Sequence, residues 1–223
     1  MPHSTIVFDL DGTLVDTAPD LIGTLNVVLA REGYDPVAFA EARTMIGGGV
    51  RHMLTRALAR RGVAVETPEL DRLFADFIAH YGAHIADRSQ PFPGLQQSLD
   101  CLAAEGDRFA VCTNKLEQLS VLLLERLGLA GRFAAICGQD TFGMPKPDPE
   151  LLRRTIARAR GDLQSAVMIG DSAADVAIAR AAGVPVIAVD FGYSDVPLPL
   201  LKADRVIGHF DELPGAVASL LGR

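Results

Sequence analysis

Ile6-Val7-Phe8-Asp9-Leu10-Asp11-Gly12-Thr13-Leu14-Val15-Asp16-Thr17 is an apolar, β-rich run that ends in two carboxylates one residue apart. A strand that stops at a glycine turn delivers Asp9 and Asp11 to its C-terminal end, where open α/β sheets carry their chemistry. Side chains alternate along extended backbone, so residues i and i+2 point the same way and can share one pocket. Two acids in one pocket repel each other. They coexist only if a cation lies between them or if they divide their protonation states.

Outward from this stretch, two textures divide the chain. From Ala18 to about Asp87 the apolar spacing is helical throughout. Leu21, Ile22, Leu25, Val28 and Leu29 form one stripe; Val50, Met53, Leu54, Ala57 and Leu58 a second; Leu70, Leu73, Phe74, Phe77, Ile78 and Tyr81 a third. Pro19 and Pro68 occupy helix-entry positions. From Pro91 onward, strands are predicted at Phe109–Thr113, Ala134–Cys137, Val167–Gly170, Val184–Val189 and Arg205–Ile207. Helices are predicted at Gly94–Glu105, Leu116–Leu127, Asp148–Arg160, Ala173–Ala182 and Asp211–Leu221. Gly106, Gly128, Gly161 and Gly183 read as left-handed helix stops. This alternation implies right-handed crossovers and a doubly wound, Rossmann-like parallel sheet covered on both faces. The first strand, Thr5–Phe8, lies apart from the others in sequence. The expectation is therefore an α/β core of residues 1–17 and 88–223, with an α-helical cap domain, residues 18–87, inserted between them.

The chain has 223 residues, of which 49% are hydrophobic and 22% charged, with a formal net charge of −7. That balance and the lack of a basic block argue against nucleic-acid partners. It also means that a site for an anionic substrate must supply its own local cations. Cys101, Cys112 and Cys137 are odd in number and lack metal-ligand spacing, so they are expected as small apolar residues in a reducing compartment. No apolar run reaches membrane-spanning length, and the first residues do not read as a signal peptide. A cytoplasmic protein with no membrane partner is expected.

Four segments of the α/β part end in polar residues that a parallel sheet would bring to one edge. They are Asp9 and Asp11; Thr113 and Asn114; Lys146 within Met144-Pro145-Lys146-Pro147-Asp148-Pro149; and Gly170-Asp171-Ser172-Ala173-Ala174-Asp175. Taken in order they resemble the haloacid dehalogenase-like superfamily. The motif D-x-D-G-T is matched by Asp9 to Thr13, the strand-end Ser/Thr by Thr113, the lysine by Lys146, and the acidic G-D-x-x-x-D by Gly170-Asp171 to Asp175. The resemblance implies that Asp9 is a nucleophile forming an aspartyl-phosphate and that Mg²⁺ is the cofactor. It places the metal on Asp9, Asp171 and the backbone carbonyl of Asp11, with Asp175 orienting the metal shell or Lys146.

The chemistry is consistent with that assignment. An anionic nucleophile approaching a phosphate is opposed by about 4 kcal/mol per charge pair at 4 Å and an effective dielectric near 20, so a bridging cation is needed. Lys146, Thr113 and Asn114 would bind the transferring phosphate. A leaving alkoxide needs a proton, which assigns Asp11 as general acid and then base. Dehalogenases of the superfamily lack this second acid, and the phosphonate-cleaving branch needs a cap lysine, which residues 18–87 do not contain.

Within the superfamily, Asp11-Gly12-Thr13-Leu14-Val15-Asp16-Thr17, the position of the insertion and Pro91-Phe92-Pro93-Gly94 look most like phosphoglycolate phosphatases. The expected partner is thus a small phosphorylated metabolite, 2-phosphoglycolate first, bound by a monomer or homodimer. Arg51 would read its carboxylate, with Arg43 or Arg56 next. Gly47-Gly48-Gly49 before Arg51 reads equally as a connector carrying a solvated arginine, and Asn114 equally as a helix N-cap. His52 and His80 lack ligand partners at helical spacing and read as surface or packing residues. The rivals are a sugar-phosphate phosphatase or phosphosugar mutase of the same superfamily and, more remotely, a non-catalytic interaction protein on this scaffold. The mutase hinge histidine is missing between Asp16 and Asp20.

Overall fold

The computed structural model describes residues 4–194 and 196–223. The opening run forms β1 (Thr5–Phe8) and, past the Gly12 turn, the short β2 (Val15–Asp16). Four helices follow: α1 (Ala18–Arg31), α2 (Phe39–Arg43), α3 (Val50–Ala59) and α4 (Thr67–Ala83). The chain then returns through β3 (Gln90–Pro91), which pairs antiparallel with β2, Val15 opposite Pro91 and Asp16 opposite Gln90. The two crossings into and out of the helical stretch are thereby stitched side by side. This ribbon is absent from the sequence reading because two-residue strands carry no periodicity.

The remainder alternates: α5 (Leu95–Ala104), β4 (Arg108–Cys112), α6 (Glu117–Arg126), β5 (Phe133–Cys137), α7 (Pro149–Arg158), β6 (Ala166–Gly170), α8 (Ala173–Ala182), β7 (Val186–Val189), α9 (Leu198–Leu201), β8 (Arg205–Ile207) and α10 (Leu213–Leu221). Six strands form one parallel sheet in the order β5-β4-β1-β6-β7-β8. This is a doubly wound α/β sheet, and its winding reverses at β1. Crevices for ligands open at such a reversal, beyond the carboxyl ends of the strands. β1 is paired on both sides, Phe8 standing opposite Val111 and Ile169, so Asp9 leaves the sheet at its centre.

All four β1 residues are buried. Ile6 and Phe8 pack into one apolar layer with α1, α4 and α5, whereas Val7 packs into the other with α7 and α8. Burying both faces explains the unbroken apolar run. Helix ends follow local chemistry. Asp148 caps α7 by accepting from the Glu150 N–H at 3.0 Å, and Pro149 takes the first turn. Gly106, Gly128 and Gly183 have positive φ as expected, but Gly161 does not; the left-handed residue there is Arg160. Gly161 is needed for a different reason. A Cβ at that position would lie 2.0 Å from Oγ1 of Thr5, so the α7–β6 loop can reach the start of β1 only without a side chain. Cys112 and Cys137 are buried in the sheet, whereas Cys101 is exposed on α5. Among the described residues, no helix is long and apolar enough to cross a membrane.

Candidate active site

Asp9 follows β1 directly, and its N–H donates to the Ile169 carbonyl at 2.9 Å, prolonging the ladder by one bond. The backbone then folds over: the N–H groups of Thr13, Leu14 and Val15 all reach the Leu10 carbonyl, at 3.3, 3.0 and 3.1 Å. Gly12 makes this turn with φ 84°, and a Cβ on it would lie 2.5 Å from Oδ2 of Asp171. Both its conformation and its neighbour thus demand glycine.

Asp171 sits just beyond β6, accepting from the Thr13 hydroxyl at 3.3 Å and from the Tyr193 N–H at 2.6 Å. Asp175 lies on the first turn of α8, where it closes a capping box with Ser172. One of its oxygens accepts from the Asp171 N–H (3.2 Å), the Ser172 N–H (3.0 Å) and the Ser172 hydroxyl (2.6 Å). The other binds Nζ of Lys146 at 2.6 Å. Nζ also lies 2.8 Å from Oδ1 of Asp9, at an angle that leaves this buried oxygen without a directed hydrogen bond. Asn114 aims the lysine by accepting from its backbone N–H at 2.8 Å. Its side chain does not cap α6, whose N-cap is Leu116.

The four segments expected at one sheet edge therefore meet. Asp9, Asp171 and Asp175 each offer an oxygen, and the three oxygens lie within 4.8 Å of one another. Burial pushes the Asp9 carboxyl up to about 6 against the pull of Lys146. Burial also lifts Asp171 well above the ordinary carboxylate range, with Asp175 and Asp9 adding to the rise. For Lys146, burial opposes the charge, but Asp175 and Asp9 outweigh it and hold the ammonium above the usual lysine value. Such a cluster has more negative charge than its lysine balances. An all-oxygen, acidic set with one undirected carboxylate oxygen fits a hard divalent cation.

Asp11 is turned elsewhere. Its carboxylate receives Nζ of Lys115 at 2.8 and 3.0 Å and the Thr17 hydroxyl at 2.8 Å. Lys115 was not singled out in the sequence, although a signal existed. The chain has 21 basic residues, yet only Lys115, Lys146 and Lys202 are lysines. Two of these three are buried here. Thr113 follows β4 directly and is buried, its Oγ1 accepting from the Lys115 N–H at 3.2 Å.

Asp9, Asp11, Thr113, Asn114 and Lys115 form the sheet side of a small cavity. Its other wall comes from the helical stretch: Leu21, Ile46, Gly47, Gly49, Val50, Met53, Phe74, Ile78 and Tyr81. The centre of a water-sized sphere can occupy about 40 Å³ of it. The glycine loop thus reaches the site, and the Asn114 amide donates to the Gly47 carbonyl at 3.4 Å. The arginine that follows the loop does not. Arg51 projects to the surface, pairs with Asp71 at 2.5 Å and lies over the Phe74 ring at 4.4 Å. Arg56 donates to the Thr44 carbonyl at 2.8 Å. Arg43 reaches across to the carbonyls of Phe191 (3.0 Å) and Gly192 (2.7 Å), beside the Tyr193 N–H that holds Asp171. Arg51, expected to read the substrate's carboxylate, is thus not among the residues that line this cavity. At its place on α3 the guanidinium meets an exposed carboxylate and the face of the Phe74 ring. His52 is exposed, and His80 faces Thr24 at 3.2 Å.

The profile of the haloacid dehalogenase-like hydrolases matches residues 6–189. The chain belongs to that family, and within it is a phosphatase resembling the phosphoglycolate phosphatases. It is 46% identical to the phosphoglycolate phosphatase of Agrobacterium fabrum, over 95% of this chain and 91% of that one. It is likewise 46% identical to that of Mesorhizobium japonicum, over 100% and 98%. Among solved structures, a "predicted phosphoglycolate phosphatase" from Haemophilus somnus 129PT superposes with a TM-score of 0.89 at 26% identity, covering 96% of this chain and 97% of its own.

Proposed function

We propose that this chain is a Mg²⁺-dependent phosphomonoesterase whose substrate is 2-phosphoglycolate, cleaved to glycolate and phosphate through a phosphoryl group carried on Asp9. The observation that carries this reading is the convergence of Asp9, Asp171, Asp175 and Lys146 in one buried cluster, with Asp9 opening on the cavity walled by the helical stretch.

Asp9, Asp171 and the backbone carbonyl of Asp11 would hold the metal, with Asp175 behind them. Bound there, Mg²⁺ supplies charge neutralisation between the acidic cluster and the phosphoryl oxygens. An oxygen of Asp9 forms the new bond to phosphorus in line with the departing glycolate oxygen, which takes a proton from Asp11. A water molecule then attacks the acyl-phosphate, gives its proton to Asp11 and releases inorganic phosphate. Lys146, Thr113 and Asn114 bind the phosphoryl oxygens. Residues 18–87 act as a cap that keeps bulk water away during the first transfer.

The resemblance to curated phosphoglycolate phosphatases supports the substrate, and the all-oxygen donor set supports the metal. A panel of phosphorylated metabolites assayed with Mg²⁺ and ranked by kcat/KM tests the assignment. 2-Phosphoglycolate should lead, and a phosphosugar at the head of the ranking would replace it.

A further inference from the structure

A substrate such as 2-phosphoglycolate brings a second anion, its carboxylate, into a chain of net charge −7 and beside two aspartates. Something positive must meet it. The arginines of the helical stretch nearest the site are engaged elsewhere: Arg51 by Asp71 at the surface, Arg43 by two carbonyls, Arg56 by the Thr44 carbonyl. Lys146 is enclosed between Asp9 and Asp175. Among the described residues that line the cavity, the sole cationic side chain is Lys115.

Three features make Lys115 a reader of an incoming anion. It is buried, so its charge is poorly screened. In the resting site it holds one carboxylate, Asp11, by a bidentate contact that a second carboxylate can imitate. Its Nζ also lies 4.6 Å over the Tyr81 ring, a cation–π contact that retains the ammonium while it exchanges partners. Tyr81 adds a second, independent observation. It is fully buried, it lines the same cavity, and its hydroxyl has no hydrogen-bond partner among the described residues. A buried hydroxyl is costly to leave unpaired, which is the condition expected of a group that bonds only to substrate. Burial, with Asp11 and Asp20 adding to it, raises this phenol well above its ordinary value and keeps it a donor.

We infer that Lys115 and the Tyr81 hydroxyl form the specificity subsite for the carboxylate of a short phosphorylated hydroxy acid. On binding, Lys115 turns from Asp11 to the substrate, and Asp11, left with Thr17, is freed toward the leaving oxygen. This rests on the proposed phosphatase reading and adds to it the residues that choose the substrate.

The test compares 2-phosphoglycolate with ethyl phosphate, which has a similar carbon skeleton and no carboxylate. The wild-type enzyme should prefer 2-phosphoglycolate. Because Lys115 also touches Asp11, Lys115→Met is expected to slow both substrates. The informative quantity is the ratio of their kcat/KM values, which should fall by about 10- to 100-fold, mostly through KM. Lys115→Arg should restore part of the ratio, and Tyr81→Phe should lower it by about threefold to tenfold with little change in melting temperature. Parallel losses on both substrates, leaving the ratio intact, would overturn the inference and make Lys115 a positioning residue for Asp11. If Lys115→Met does not fold, the ratios in Lys115→Arg and Tyr81→Phe decide. A wild-type enzyme that hydrolyses other phosphomonoesters without favouring the carboxylate would remove both the subsite and the 2-phosphoglycolate assignment. A preference that survives every variant removes the subsite alone.

Discussion

The two buried lysines sit at the same sheet edge in opposite circumstances. Lys146 is closed in by two carboxylates, Asp9 and Asp175, both held just beyond strand ends. Lys115 has one carboxylate partner and an aromatic face, and it looks into a cavity whose far wall is helical. The first environment is over-determined. Asp175 alone ties together the lysine, the cap of α8 and the backbone of Asp171. Such a network holds charges in place before substrate arrives, which is how transition-state charge is stabilised without reorganisation. The second is exchangeable, and exchangeable contacts are where selectivity between substrates is set.

The largest effect separating the two regions is chemical. Asp9→Asn should lower kcat by about 10⁴-fold or more while leaving the circular dichroism spectrum unchanged, since a lost nucleophile is not replaced by binding alone. Trapping of phosphate on any residue but Asp9 would break the comparison at its root.

Next comes stability. Asp175→Ala leaves Lys146 with one partner in a dry site and removes the acidic half of the α8 capping box, so urea denaturation should show a loss of about 3–5 kcal/mol. Should the loss stay within the range of a surface change, the network around Lys146 is less rigid than its contacts imply.

The pH response sharpens the same region. Asp9 titrates at about 6 in the fold against an ordinary 3.8, so the native state binds this proton more tightly than the unfolded chain. Its contribution is complete below pH 4 and disappears as pH rises through 6. Metal-free protein should therefore be less stable at pH 7.5 than at pH 5 by about 1.4 kcal/mol. Mg²⁺ at about 100 times its Kd should add about 3 kcal/mol at pH 7.5 and less at pH 5, where protons compete for the ligands. Denaturation midpoints with chelator and with Mg²⁺ measure both; equal midpoints throughout would argue that no metal occupies the acidic cluster.

The smallest effect belongs to the helical surface. Arg51→Ala removes an exposed ion pair and should change kcat/KM for 2-phosphoglycolate less than about twofold. A tenfold loss would return carboxylate recognition to Arg51 and take it from Lys115.

These outcomes follow the division between what was legible in the chain and what was not. The strand ends with Asp9, Asp171 and Thr113, the α7 entry at Asp148-Pro149 and the helix-ending glycines at 106, 128 and 183 were legible. Each is governed by alternation, capping or left-handed backbone within a few residues. The β2–β3 ribbon was not legible, because it exists only where two distant dipeptides happen to meet. Gly161 was misread as a helix stop because the partner that requires it, Thr5, lies at the other end of the chain.

Read without coordinates, the residues established an α/β alternation, its parallel sense and the chemistry-bearing acids, since those depend on local backbone preference and on which faces must be buried. The tertiary structure decided which cation faces which carboxylate: Lys146 between Asp9 and Asp175, Lys115 on Asp11, Arg51 out at Asp71. Ion pairing depends on distance and on exclusion of water. Both arise only when segments far apart in the chain are packed together.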